Sequence, residues 1–233
     1  MTPESIHVEH GTLGSWYDEY RRLRHRVFVV EQLWTGLSSE DEAGLTRHDP
    51  ADARARFWLA RSLDGALVGA VRVCAVADVF PHEELFAHHL QVPDVAAIRP
   101  HMGTLNSLVI EAAWRGRLCQ TSDGRVGTAS SLLLRACLSG CAAAGLKAIV
   151  ATAQTVVSAR ALMRAGFRAI DAPVRTRLHP HFTMCNVGIV LKPTDPHAHA
   201  VGRYFDACEP RVLGSYTIAE RFTFAGTDIV GAA

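Results

Sequence analysis

Two stretches of this 233-residue chain combine residue types and spacings that bear on chemistry. The first runs from Thr104 to Gly145. It opens with an apolar run, Leu105 to Ile110, preceded by Pro100 and Gly103 and too short for a free-standing helix, so a buried strand is predicted. Ala112-Ala113-Trp114-Arg115-Gly116-Arg117 follows, then a polar loop over 118–123, then Gly124-Arg125-Val126-Gly127-Thr128-Ala129. An Ala/Leu/Ser pattern after that predicts a helix stopping at Gly145. A strand, a glycine-bearing loop and a helix start form an anion site, because backbone N–H groups and the positive end of the helix dipole face whatever docks there. The second stretch, Leu37 to Arg56, is rich in Gly, Ser, Asp, Glu and Pro without periodicity and reads as a loop. Asp41, Glu42, Asp49 and Asp52 are among its carboxylates, the last two in a D-x-x-D spacing. Loops of that length in a compact domain are usually functional or mobile.

The remaining elements must position these two stretches. Ser15 to Leu33 predicts a helix, with Ser15 as candidate N-cap, Asp18 and Glu19 in the first turn, and Tyr20, Leu23, Val27 and Val30 at helical spacing. Phe57 to Arg61 and Leu67 to Val73 predict two strands joined at Asp64-Gly65, a strong hairpin signal. Arg72 ends an otherwise apolar run in the second of these, which is unusual for an arginine and points to a binding role or a buried pair. A short helix is expected over Phe80 to Leu90. Lys147 to Ala153 predicts a buried strand, Thr155 to Ala165 a helix closed by Gly166, and Cys185 to Lys192 a last strand.

Composition excludes several function classes. With 24 basic and 23 acidic side chains the net charge is +1, without the basic footprint of a non-specific nucleic-acid binder. No stretch approaches the roughly 18 apolar residues of a membrane span, and Met1-Thr2-Pro3-Glu4 does not read as a leader, so the expected compartment is the cytoplasm. Six cysteines contain no C-x-x-C pair; Cys137 and Cys141, one helical turn apart, read as buried thiols. His82-Glu83 and His88-His89 miss the H-E-x-x-H spacing, and the loop histidines His179, His181, His197 and His199 lack acidic or thiol partners at ligand spacing. No metal is therefore expected.

The strand, the Arg115-Gly116 pair and the Gly124–Ala129 loop resemble the cofactor-binding core of the GNAT superfamily of N-acyltransferases. Ala159 to Phe167 is similar to that family's A-x-x-L-Y-x-x-x-G-F helix end, and Leu67 to Val73 to its "vG-x-x-R" strand. Arg24, Phe28, Leu33 and Trp34 resemble the opening of one branch, the acyl-homoserine-lactone synthases, and the related N-acyl amino acid synthases. Where that branch reads E-x-S-R-F, this chain has Thr104 and Ser107 in place of the glutamate and arginine.

The resemblance implies an α/β (α+β) fold over residues 1–192, with a central mixed, mostly antiparallel sheet, a splayed strand pair and flanking helices. Residues 193–233 would be a C-terminal extension that lids the acyl pocket or contributes to a homodimer. The implied reaction is direct attack by a primary amine of a small, amino-acid-like molecule on an acyl-CoA or acyl-carrier-protein thioester, with no permanently bound cofactor. In that scheme the Ile110 N–H polarises the thioester carbonyl, with Leu108 as its neighbour in the strand. Arg125, Gly127, Thr128 and Ala129 hold the pyrophosphate, and Arg115 and Arg117 add charge. Arg24, Phe28, Trp34, Arg72 and Asn106 line the acceptor and acyl side. A base takes the amine proton, drawn from Glu42, Asp49, Glu111 or His48. An ordinary acetyl-CoA-dependent N-acetyltransferase, or an inert module binding coenzyme A or a partner, is the alternative.

Overall fold

The computed structural model describes residues 2–75, 99–154, 158–169, 174–175 and 183–191. The chain divides into two compact units, Met1–Cys74 with Asn106–Leu138, and Ala75–Leu105 with Ser139–Ala233.

In the first unit, β1 (Glu4–Gly11) pairs antiparallel with β2 (Arg56–Ser62), and β2 pairs antiparallel with β3 (Leu67–Ala75). The β2–β3 hairpin turns at Gly65, whose φ of 86° suits a residue without Cβ. β3 is buried along nearly its whole length, as expected of an apolar central strand. Helix α1 (Tyr17–Arg24) covers β2, with the Tyr20 and Phe57 rings edge-to-face at 5.2 Å.

Two expectations are corrected here. Ser15 does not cap α1: the cap position is Trp16, which makes no side-chain cap, and the Tyr17 N–H instead donates to the Gly14 carbonyl at 3.0 Å. After Arg24 the chain relaxes into a π-helical segment, His25–Glu31. The extra residue per turn rotates Val30 out of the stripe, leaving it 60% exposed while Leu23 and Val27 are buried. The polar loop expected over 118–123 is largely a strand, β5 (Leu118–Thr121). It pairs parallel with β1 and forms a hairpin with β6 (Val126–Thr128) around Gly124, at φ 82°. Cys119 points inward and Leu118 outward, a period-2 alternation too short to read without its distant partner Glu4–Ile6.

In the second unit, β7 (Ala148–Gln154) pairs antiparallel with β10 (Thr183–Val190), which also carries the short strands β8 (Arg168–Ala169) and β9 (Val174–Arg175). Helix α3 (Ser158–Arg164) ends as expected on Gly166, at φ 97°, with the Phe167 N–H returning to the Leu162 carbonyl at 3.1 Å.

The division falls within strand β4 (Met102–Ile110), with Met102–Leu105 in the second unit and Asn106–Ile110 in the first. The strand's parallel ladder with β7 runs from Met102–Ala148 to Leu105–Ala151 and ends there. Two residues on, Ser107 adopts φ 56°. A left-handed serine inside a strand is a local kink costing on the order of 1 kcal/mol. The result is a mixed, mostly antiparallel, open sheet with flanking helices and one strand that changes partners part-way along. Cys137 and Cys141 are both fully buried thiols.

Among the described residues no helix is long and apolar enough to cross a membrane, and no cluster of three metal-ligating side chains occurs. The helix expected over Phe80–Leu90, the extension 193–233 and the histidines His82, His88, His89, His179, His181, His197 and His199 lie outside the described residues.

Candidate functional site

Within the first unit, β4 from Asn106 to Ile110 lies beside β3, with the Glu111 N–H donating to the Val68 carbonyl at 2.9 Å. Gly69 makes the close approach feasible. A Cβ there would stand 2.7 Å from Ile110 Cδ1, 2.9 Å from Leu133 Cδ1 and 3.3 Å from the Val109 carbonyl oxygen. Leu133 belongs to helix α2 (Ala129–Ala143), so strand edge and helix are packed directly together.

The start of α2 follows β6 without an intervening residue. Thr128 is its N-cap: the Ser131 N–H donates to Thr128 Oγ1 at 3.3 Å, and Ser131 Oγ donates back to the Thr128 carbonyl at 2.9 Å. Gly127 leaves room for Ser131: a Cβ would stand 2.6 Å from Ser131 Oγ, which would have to turn away from its bond to Thr128. Ala129, at the first helical position, sets its N–H against the Cys119 sulfur, where burial holds the thiol pKa above its ordinary value. The expected glycine loop is thus a hairpin feeding a capped helix, with Gly124 and Arg125 at the hairpin end and Gly127 to Ala129 at the helix tip.

The three arginines of this region each hold a carboxylate. Arg125 clasps Asp123, Nε donating at 2.8 Å; Arg117 pairs with Glu4; Arg115 Nη2 reaches Glu31 at 2.5 Å, while its Nε donates to the Ile110 carbonyl at 2.9 Å. Hydrogen bonds from Arg125 and Thr121 keep Asp123 well below the usual carboxylate range. All three guanidinium groups are close to half exposed.

The same unit also holds a buried charge cluster. Asp49 caps the turn Pro50–Arg54, its Oδ1 accepting the Ala51 N–H at 3.0 Å, and that turn places Asp52 inward. Asp52 accepts the Tyr17 hydroxyl at 2.5 Å and the Arg72 guanidinium, with Arg24 Nη1 at 3.7 Å. Arg72 Nη1 also donates to Asp49 at 2.6 Å. Burial raises the Asp49 pKa, but the charge and hydrogen bond of Arg72 outweigh it, so Asp49 titrates below its ordinary value. Burial opposes the charge on Arg72, yet the flanking carboxylates hold its pKa above the usual one. Burial and the bond to Asp52 push the Tyr17 phenol up.

Nearby, Phe28 and Trp34 stack at 5.0 Å with planes 8° apart. The π-helical segment makes this possible: the Trp34 N–H reaches back six residues to the Phe28 carbonyl at 2.8 Å, and Leu33 turns the chain at φ 60°. Glu42 accepts two bonds from the buried Arg21, which hold its pKa below the ordinary value, and His48 Nε2 stands 3.8 Å from it. Glu111 is clasped by Arg26, Nη2 at 2.6 Å.

The structure therefore brings Arg24, Arg72 and Asp49 into one cluster and stacks Phe28 on Trp34. It sets Arg115, Arg117 and Arg125 apart from that cluster, each on its own carboxylate. Asp52 was singled out with Asp49 by their spacing, whereas Tyr17 and Tyr20 beside the cluster and Arg21 on Glu42 were missed. The signal was present: Tyr17, Tyr20, Arg21 and Arg24 fall at i, i+3, i+4 and i+7, one helical face with polar tips.

No family model and no curated protein sequence matches the chain. Solved structures do. The CoA-dependent acyl-homoserine lactone synthase BjaI, crystallised with MTA, superposes at TM-score 0.58 with 17% identity, over 88% of this chain and 89% of BjaI. The AHL synthase LasI gives 0.58 at 17% identity, over 81% of this chain and 91% of LasI. A putative N-acetyltransferase from Lactobacillus plantarum gives 0.53 at 12%, over 81% and 99%. The chain shares the fold of these acyl-homoserine lactone synthases and of the N-acetyltransferase.

Proposed function

We propose that this GNAT-fold chain is an N-acyltransferase that moves an acyl group from an acyl-CoA or acyl-carrier thioester to a primary amine of a small molecule. The observation that carries the reading is β4: its ladder with β7 stops at Leu105–Ala151, Ser107 kinks it, and α2 starts beside it. A strand released from pairing offers backbone groups to an extended pantetheine arm, as an added strand would. The Ile110 N–H then serves as the oxyanion donor, and Leu108 pairs with the arm. The α2 tip at Gly127, Thr128 and Ala129 takes the pyrophosphate. Arg115, Arg117 and Arg125 exchange exposed carboxylate partners for phosphate at little cost, since exposed ion pairs contribute about 0–1 kcal/mol.

The acceptor faces Arg24, Arg72, Phe28, Trp34 and Asn106. Of the candidate bases, Asp49, Glu42 and Glu111 are each bonded to an arginine. His48, against the Tyr17 ring at 5.6 Å, is the one side chain of the four not clasped by an arginine. It is the base proposed here, acting directly or through one water. BjaI has been crystallised with SAM and isopentyl-CoA, which supports a coenzyme A donor and an amino-acid-like acceptor.

A second reading, an ordinary acetyl-CoA-dependent N-acetyltransferase, is favoured by Thr104 and Ser107, which depart from the signal-synthase pattern. Thiol release from acetyl-, butyryl-, octanoyl- and dodecanoyl-CoA over an amine panel separates the two. Preference for medium or long chains supports the first reading, preference for acetyl the second, and no thiol release with any donor, carrier-bound or free, overturns both.

A further inference from the structure

Arg21 is enclosed at 0% exposure, yet the carboxylates it holds, Asp18 and Glu42, lie toward the surface. Its Nε donates to the Thr46 carbonyl at 2.7 Å and its Nη1 to Asp18 at 3.2 Å. Both Nη atoms also donate to Glu42, one to each carboxylate oxygen, in a two-pronged grip. The loop bearing Glu42 is a short ribbon folded back on itself. The Ser39 N–H donates to the Leu45 carbonyl and the Arg47 N–H to the Leu37 carbonyl, both at 2.9 Å, and Gly44 turns between them at φ 75°. His48 follows directly. Its Nε2 stands 3.8 Å from Glu42 Oε2, and its ring lies against that of Tyr17, 5.6 Å between centres.

Enclosing a guanidinium forfeits its solvation, and the ribbon's own backbone bonds already fold the loop without a charge. What the charge adds is a carboxylate fixed in place. The bonds from Arg21 hold Glu42 below the usual carboxylate range, so it stays ionised. An ionised carboxylate facing Nε2 is fitted to accept the N–H of that nitrogen. The bond made by one ring nitrogen sets the state of the other, so Nδ1 is left with the free lone pair.

We propose that Glu42 is the positioning residue of the base: gripped by Arg21, it orients His48 and steadies the imidazolium formed when the amine is deprotonated. The assignment rests on the N-acyltransfer reading. The ammonium proton passes to His48 Nδ1, directly or through one water, and the freed lone pair attacks the thioester carbon. The C–N bond forms and the C–S bond breaks. The second proton lost by the nitrogen goes to the leaving thiolate, and His48 returns its own to solvent. The gap of 3.8 Å closes as the ring becomes charged, since catalytic hydrogen bonds are often long before substrate binds.

The test uses the thioester and amine that wild type turns over best. His48→Ala should lower kcat about 100-fold, the loss of a general base. Glu42→Gln should lower kcat about 10-fold at unchanged KM and unchanged melting temperature, because glutamine still offers Arg21 an oxygen. The double variant should be no slower than His48→Ala, since the carboxylate then has nothing to orient. Imidazole added in solution should restore part of the rate, equally in His48→Ala and in the double variant. Losses that multiply in the double variant, a wild-type kcat in either single variant, or a Glu42→Gln loss accompanied by a lower melting temperature overturns the proposal. If wild type releases no thiol from any donor, the acyl-transfer reading fails by itself, and nitrogen NMR of the histidine rings decides the positioning. A single His48 tautomer, with its proton on Nε2, that becomes a mixture in Glu42→Gln upholds it; the same tautomers in both proteins overturn it.

Discussion

In two of the regions where arginine meets carboxylate, it does so to opposite ends. At Asp52 the pairs are sealed: Arg72, Arg24 and Asp52 are each at most 5% exposed. Around the α2 tip, Arg115, Arg117 and Arg125 sit on Glu31, Glu4 and Asp123 at the surface. A buried pair costs desolvation whether or not it is used, and removing one member strands the other. A surface pair is screened and loosely held. The inner cluster thus fixes shape, and the outer arginines are held loosely enough to change partners.

The largest expected effect breaks the inner cluster. Asp52→Ala should destabilise the protein by about 3–5 kcal/mol in urea or guanidinium unfolding, because the Arg72 and Arg24 charges lose their shared acceptor. A loss under about 1 kcal/mol would place the cluster on a par with the surface pairs and erase the contrast. Next, Gly69→Ala should cost about 1–3 kcal/mol, since the added methyl overlaps Ile110, Leu133 and the Val109 carbonyl at a tightly packed strand edge. Acid titration gives a smaller, signed effect. The native pKa of Asp49 lies below its unfolded value of about 4, so its contribution to stability is complete above that pH and is lost as pH falls through the native value. Asp49→Asn should flatten the stability curve between roughly pH 4 and its acid limb. An Asn variant with an unaltered acid limb would remove Asp49 from the inner cluster. Smallest of all, Arg117→Ala with Arg125→Ala should leave the unfolding midpoint essentially unchanged. The same double variant should raise KM for acyl-CoA and reduce its salt dependence. An unchanged KM would mean that these arginines serve only Glu4 and Asp123.

Local chemistry was legible in the sequence where neighbours in the chain decide the outcome. The Asp64-Gly65 hairpin, the Gly166 helix end, the apolar core strand and the unusual arginine at position 72 all read correctly, because each signal lies within a few residues of its consequence. What stayed hidden depends on distant partners. Leu118–Thr121 becomes a strand only because Glu4–Ile6 lies alongside. Asp52 turns inward because Asp49 caps the turn around it and Arg72 waits on β3. The left-handed conformations of Leu33 and Ser107 have no glycine to announce them. The lengthening of α1 into a π-helical segment likewise left no mark in a pattern that reads as continuous helix through Val30.

Arg115 has one hand on the last carbonyl of β4 and the other on Glu31, where the π-helical segment ends. An incoming pyrophosphate that drew this guanidinium away would unclasp both at once. Loading of the donor would then be felt at the Phe28–Trp34 stack, a few residues along from Glu31, before any acceptor had entered.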